Sequence, residues 1–591
     1  MLKRSIRSFR RRLKGVEWLS DTPAMLCWAA LMGVLGAAVV VLFHEGIYLI
    51  QRIAVGHSGE ISEVTRSLPW YSRLLFPTVG GLIAGLLLWL ASRKKAEAAS
   101  DYMEAVAIGD GRMSFRQGVL RSLSSLFTVA SGGSIGREGP MVHLSSLAAS
   151  LVGRFIYIGT AHLRVLVACG GAAGVAAAYG TPLAGAIFMA EIVLGSLSIH
   201  SLGPLLIAAV FANITMRMMG DYHAVYEMVD VQRIAGPEIW AFVLLGGIIG
   251  IAAPGFLKLM SLSKEQFARA GIPLWLRLAL GGFILGILLI MVPDVAGNGY
   301  NAVYSLLHDS WAAHAIVSIL FAKVLATAIT VGSGAIGGVF TPAMFVGAAF
   351  GALYGKLLLV VLPDLGIEAY LFTLVGMGAF LGAATSAPFM AILMIFEMTL
   401  SYQLVLPLIV ASVVAYFVTR MLAEVSMYDV ILVRERDERL RHTLRNMRIN
   451  QLIRPADTVI PTTAKVSEAL QMFLEYPVKY LYVVDEENVY QGVIAQQDLT
   501  RLLLHHADAQ EQLVGEVIRL DFVKTLDASM SLDEAQQYFV NFQGERLPVL
   551  SADEAPRLIG VVYKSALLEK YSAIKRSLDA AGEAMFDTRS Q

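Results

Sequence analysis

Two stretches of the chain are copies of each other. GGAAGVAAAYGTPLAGAIFMAE at Gly170–Glu191 aligns without a gap on GMGAFLGAATSAPFMAILMIFE at Gly376–Glu397, with Pro182 on Pro388 and Glu191 on Glu397. Upstream, SGGSIGREGP at Ser131–Pro140 aligns with SGAIGGVFTP at Ser333–Pro342, on an offset that differs by four residues. One unit of about 200 residues therefore occurs twice, over about 70–220 and 270–422, and a binding site is expected where the two copies meet.

The medium in which these copies fold follows from composition. Of 591 residues, 56% are hydrophobic and 16% charged, and mean hydropathy is +0.62, far from a soluble protein of this size. Apolar segments of spanning or near-spanning length occur at about Ala24–Ile50, Leu74–Leu90, Leu163–Ala178, Leu202–Met218, Trp240–Ala253, Leu274–Met291, Ala313–Thr330, Leu371–Ala384 and Leu404–Val418. Shorter segments interrupted by Gly or Pro, among them Met141–Ile156, Pro182–Leu194, Phe340–Leu353 and Pro388–Met398, read as broken helices. Such helices are tolerated at membrane depth only where protein or a water-filled cavity covers their free backbone groups.

Lys3, Arg4, Arg7, Arg10, Arg11, Arg12 and Lys14 all precede the first acid, Glu17, which places residues 1–22 on the cytoplasmic side. Pro23–Val41 is too long for a signal-peptide core and lacks a small-residue cleavage site, so an uncleaved span is expected. The 47 basic and 47 acidic residues cancel, and no nucleic-acid partner is expected. Cys27 and Cys169, both within apolar runs, read as buried free thiols that support neither a disulfide framework nor a metal site. His44-Glu45 lacks the second histidine of HExxH, so a membrane zinc protease, and enzymatic activity generally, is not expected.

A helix that begins inside the membrane aims unpaired N–H groups and its positive dipole end at whatever lies before it, and so can hold an anion without a full positive charge. SGGSIGREGP, SGAIGGVFTP, GTPLAG at Gly180–Gly185 and SAPFMA at Ser386–Ala391 all have the glycine-then-proline form of such a start. Four starts paired across two copies are expected to converge on a dehydrated halide. Glu138, too costly to leave in lipid, would face that cavity and compete for the same N–H groups. Arg137 beside it would either set the local field or anchor backbone carbonyls.

GREGP at Gly136–Pro140 and GGVFTP at Gly337–Pro342 resemble two signature motifs of the CLC family of chloride channels and proton-coupled chloride exchangers. The resemblance runs through Ala24–Arg434 and implies an all-α polytopic fold of two inverted repeats over 23–434. It makes Glu138 the gating residue, with chloride held around Gly136, Arg137 and Gly139, by the Val339 and Phe340 amides and by the Tyr428 hydroxyl. Tyr428 read from its position alone is an interfacial aromatic. The family's GSGIP is replaced by ASDYMEAV at Ala99–Val106, where Ser100 would supply a hydroxyl, and DYMEA is similar to the bacterial ClcB-like branch, described as voltage-gated chloride channels. Exchangers usually carry a proton-relaying acid where this chain has Ile192. Glu191, one residue earlier, reads as a structural helix end or as a residual proton path. The resemblance thus implies a homodimer in the cell (inner) membrane conducting chloride passively, with both termini cytoplasmic. A proton-coupled antiporter is the alternative, and a fluoride-selective transporter a remoter one.

Beyond a charged linker at 435–450, Ala464–Leu503 and Ser529–Tyr571 form a second, smaller repeat: helix with a Ser531/Glu534 capping box, strand, polar turn, strand, helix. The pair resembles tandem CBS domains, at 451–507 and 512–572, which pack as a pseudo-dimer, with a polar tail over 573–591. Asp498 stands where ligand-binding members hold a nucleotide ribose, but no hydroxyl precedes it and Ala566 replaces its counterpart, so no nucleotide cofactor is expected.

Overall fold

A computed structural model of the chain describes residues 22–93, 98–107, 109–156, 158–220, 226, 236–363, 366–423, 425–428, 444, 447–505, 509–520, 522–540, 542–553 and 555–587. The basic stretch 1–21 and most of the linker 435–450 lie outside the described residues. The chain divides into two units, Met1–Leu432 and Val433–Gln591.

In the first unit the apolar runs are helices, since a segment without access to water must close its own backbone hydrogen bonds. Helices α1 (Thr22–Val55) and α2 (Ile61–Ser67) precede the first repeat: α3 (Trp70–Ser92), α4 (Tyr102–Ala107), α5 (Phe115–Ala130), α6 (Glu138–Phe155), α7 (Thr160–Tyr179), α8 (Pro182–Phe188) and α9 (Ile199–Met218). After α10 (Ile239–Arg269) comes the second: α11 (Leu274–Met291), α12 (Tyr300–His308), α13 (Ala313–Gly332), α14 (Phe340–Val361), α15 (Ala369–Thr385), α16 (Pro388–Thr399) and α17 (Val405–Leu422). Among the described residues, nine helices are long and apolar enough to cross a bilayer.

Two expectations change. Phe340–Leu353 is not an interrupted segment but the start of a continuous 22-residue helix, whereas Leu371–Ala384 lies in a 17-residue helix below spanning length. The glycines of α14 do not break it; they admit α15, for a Cβ on Gly351 would stand 2.0 Å from the Phe372 carbonyl oxygen. Cys169 is buried and free, but Cys27 is exposed on α1.

The two copies are related by a two-fold axis. Gly136 and Gly338, equivalent in the alignment, exchange both backbone hydrogen bonds, at 2.7 and 3.0 Å, in an antiparallel bridge. The first helices of the repeats cross with the same reciprocity: a Cβ on Gly85 would meet the Trp275 Cα at 2.5 Å, and one on Gly286 the Leu74 Cα at 2.8 Å. Mutual exchange between equivalent residues is the signature of a two-fold interface. Because α3 and α11 cross antiparallel, the end of each meeting the start of the other, the second repeat is inverted in the membrane relative to the first.

The second unit holds two modules of one plan. In the first, β1 (Val459–Pro461), α18 (Val466–Glu475), β2 (Tyr480–Val484), β3 (Tyr490–Ala495) and α19 (Gln496–His505) form a sheet of order β1-β2-β3; β4 (Leu526–Asp527), α20 (Leu532–Val540), β5 (Arg546–Leu550), β6 (Leu558–Tyr563) and α21 (Lys564–Asp587) repeat it. In each, the outer strand pairs parallel and the hairpin antiparallel, with a register shift at Val483/Val484 and at Val549/Leu550. The capping box forms, the Glu534 amide donating to Ser531 Oγ at 3.2 Å and the Ser531 amide to Glu534 Oε2 at 2.9 Å. The modules pair face to face: the Tyr480 hydroxyl donates to the Arg546 carbonyl, and Arg546 Nη2 donates to the Tyr480 carbonyl at 3.4 Å. The polar stretch from 573, expected as a tail, continues α21 as helix to Asp587.

Candidate functional site

The site lies on the two-fold axis, where α6 and α14 begin. Glu138 is the first residue of α6 and Phe340 the first of α14, so the amides at both starts lack intrahelical acceptors. The Glu138 side chain is buried and turns back into this space. Its Oε1 accepts the Thr341 amide and its Oε2 the Thr341 hydroxyl, each at 3.4 Å. The carboxylate rests on glycine: a Cβ on Gly136 would lie 1.9 Å from Oε2, and one on Gly338 2.2 Å from Oε1. Gly139 serves another purpose, since a Cβ there would come within 2.9 Å of the Gly338 amide nitrogen and push the two helix starts apart. A carboxylate thus occupies the seat that the helix termini offer to an anion.

Arg137 does not pair with Glu138 in this arrangement. Its Nη1 is 3.9 Å from Glu60 Oε1, and its guanidinium sits over the Tyr300 ring at 5.7 Å. The Tyr300 loop is held by Lys323, fully buried on α13, whose Nζ donates to the Val295 and Gly297 carbonyls at 3.0 and 2.7 Å. Phe340, Tyr428 and Phe188 at the end of α8 form an edge-to-face cluster with centroids 5.3 to 6.1 Å apart. Tyr428 is thus set against the start of α14, packed into the protein rather than on its rim. Val339 caps α14. Ser100 lies in the bend before α4, next to Asp101, which pairs with Arg121 at 3.7 Å, and two residues before Tyr102, which lies near both Glu138 and Tyr428.

The expectation that four helix starts converge on one anion is corrected to two. The starts of α8 and α16 are already filled by carboxylates, each from the other repeat. Glu397 accepts the Leu183 and Ala184 amides at 2.9 and 2.8 Å, and Glu191 accepts the Met390 amide at 2.9 Å. These are reciprocal caps, and they assign both glutamates a place at helix ends. Glu191 sits in a π-helical turn, Met189–Leu194, with Ile192 wholly buried beside it.

Thr341, Tyr179, Tyr300, Phe188, Gly338 and Lys323 were not singled out by sequence. Gly338 and Thr341 stand within GGVFTP, aligned with Gly136 and Gly139. The others lie outside any motif and read as ordinary residues of apolar helices.

In the second unit, Asp498 Oδ1 is 2.6 Å from Arg519 Nη2. Among the described residues no cluster of three or more His, Cys, Asp or Glu could hold a metal.

A family model for voltage gated chloride channels matches residues 79–420, and one for the CBS domain matches 449–505 and 514–573. A protein described as ClcB-like from Ralstonia nicotianae is 47% identical over 426 residues, 71% of this chain and 98% of its own length. A voltage-gated ClC-type chloride channel, ClcB, from Citrobacter koseri is 39% identical over 406 residues, 68% of this chain and 97% of its own. Among solved structures, that of a slow cyanobacterial Cl−/H+ antiporter superposes with a TM-score of 0.61 at 24% identity, covering 70% of this chain and 97% of that one.

Proposed function

Given that the chain belongs to the CLC family of voltage-gated chloride channels and chloride transporters, with a C-terminal CBS pair, we propose that it is a chloride-selective channel gated by Glu138. Chloride reaches the two helix starts past Arg137 and competes with the Glu138 carboxylate for the amides of α14. Protonation, or a high concentration of the anion, releases the side chain, and the seat becomes a conducting position lined by the Val339 and Phe340 amides, with Tyr428 beside it. No covalent chemistry, metal or cofactor is required.

One observation carries the preference for a channel over an exchanger. The relay position holds Ile192, fully buried in apolar surroundings, and the neighbouring Glu191 is committed to the start of α16. Proton-coupled antiport remains the second reading, favoured by the titratable carboxylate that sits in the anion seat itself. Reconstitution in liposomes with a chloride gradient, following chloride and pH together, separates the two. Chloride efflux without proton movement is expected, and chloride-driven proton uptake against a gradient overturns the channel reading.

On this reading the protein works in the cell (inner) membrane as a homodimer with one pathway per subunit and both termini cytoplasmic. Its CBS pair serves to stabilise the dimer or modulate the pathway rather than to bind a nucleotide: Asp498 is engaged by Arg519, and Ala566 stands at the second position.

A further inference from the structure

The gate reading leaves unexplained why the hydroxyls at the seat of Glu138 break the two-fold relation of the repeats. Under the two-fold relation, Thr341 corresponds to Gly139 and Tyr179 to Thr385. The Thr385 hydroxyl is turned onto the Leu381 carbonyl of its own helix, at 2.7 Å. The Thr341 hydroxyl is not spent in this way: it lies 3.4 Å from Glu138 Oε2 and 3.0 Å from the Tyr179 hydroxyl. Tyr300 from α12 interacts with the same side chain, its ring edge-on to Tyr179 with centroids 6.5 Å apart. All four residues are buried.

Elementary valence fixes the direction of this chain. An ionised carboxylate only accepts, so Thr341 must spend its one hydroxyl proton on Glu138, and the bond between Thr341 and Tyr179 must then be donated by Tyr179. Each donor polarises the next, and all of them are buried. We propose that the Tyr179–Thr341 hydroxyl pair is the latch of the gate: Thr341 binds the carboxylate in its closed position, Tyr179 positions Thr341, and together they set the pH at which the pathway opens. The proposal rests on the reading of Glu138 as the gate. The other groups facing Glu138 are Arg137 at its own helix start, Tyr102 from α4, Tyr300 from α12 and Tyr428. The latch variants leave all of these in place.

The test uses the full chain in liposomes, measuring chloride efflux against external pH. A hydroxyl donated to a carboxylate is worth about tenfold in an equilibrium. Thr341→Val, which keeps shape and backbone amide, should therefore raise the midpoint of the flux curve by about one pH unit. Tyr179→Phe should move it the same way by less, and Thr341→Ser should restore it. In a Glu138→Gln background, Thr341→Val should change nothing further. If Glu138→Gln abolishes the pH dependence while Thr341→Val and Tyr179→Phe leave the midpoint where it was, the latch is wrong and the gate stands. If Glu138→Gln leaves the pH dependence intact, the gate reading falls and the latch with it. Should Thr341→Val fail to fold, the Tyr179→Phe midpoint decides alone.

Discussion

Removing one of the two reciprocal caps should be more damaging than removing the other, although the residues are equivalent by repeat and each holds two amides. Glu397 is buried and holds two amides of α8, from Leu183 at 2.9 Å and Ala184 at 2.8 Å. Glu191 likewise holds two amides of α16, from Met390 at 2.9 Å and from Phe389, but is only half-buried. A hydrogen bond to a charged group contributes about 1.5–3 kcal/mol, and a buried donor left without an acceptor costs about 1–3 kcal/mol. Glu397→Ala leaves two donors stranded in a site that water reaches poorly, so a loss of about 3–5 kcal/mol is expected. Glu191→Ala strands two donors as well but at a more exposed site, so it should lose less, since solvent can replace part of what it removes. The damage should also reach the pathway: α8, which runs on into the π-helical turn to Leu194, starts at this cap and carries the Phe188 ring to within 5.3 Å of the Phe340 ring, centroid to centroid. The assay pairs thermal unfolding of the detergent-solubilised full chain with chloride efflux from liposomes. Glu397→Ala should unfold at lower temperature than Glu191→Ala and conduct less. If Glu191→Ala is equally or more destabilising, or if Glu397→Ala is neutral in both measurements, the caps do not bear the weight the geometry gives them.

Three further outcomes follow from the same geometry. Gly338→Ala would place a methyl carbon 2.2 Å from Glu138 Oε1; the carboxylate should be expelled, giving chloride efflux that stays high at alkaline pH, where the proposed gate would close the native protein. Arg546 is buried at the module interface with its guanidinium 5.3 Å from the Tyr482 ring and 6.0 Å from that of Tyr480. Arg546→Ala should loosen the pair by about 2 kcal/mol, seen as faster protease cleavage within the second unit. At the exposed start of the second module, hydrogen bonds from the Ser529 hydroxyl and amide hold the Asp527 carboxyl below the ordinary carboxylate range. A depressed folded-state value contributes stability above the unfolded value and loses it as pH falls through the folded one. The deficit of Ser529→Ala, under about 1 kcal/mol at so exposed a group, should therefore be present at neutral pH and vanish as pH drops below about 4.

Self-alignment of the chain carries much of this fold, and its failures are of one kind. It reveals which glycines begin helices and which residues are equivalent. It does not reveal whether an equivalent residue acts within its own repeat or across the axis. Glu191 and Glu397 stand at the same spacing from their own prolines, and that spacing reads as one helix with an acid at its end; only the fold shows that each reaches the start of the other. The same ambiguity made α8 and α16 look like free anion sites. The leading strands β1 and β4, three and two residues long, are too short to show alternation and owe their extended form to the neighbouring strand.

What the alignment cannot hide is where symmetry breaks. At the axis, Gly136 and Gly338 are alike because both starts must accommodate the same close approach. Beyond them the copies part: Glu138 against Phe340, Gly139 against Thr341, and Tyr179 against Thr385. A site that only needed to hold an anion passively could keep both halves identical, since either helix start supplies the same amides. The copies instead differ by a tethered carboxylate on one helix start and a hydroxyl donor opposite it, meeting across the axis. Among the positions where the copies diverge, these three are the ones that set a carboxylate against a hydroxyl chain across the axis, the asymmetry that a seat proposed to close requires.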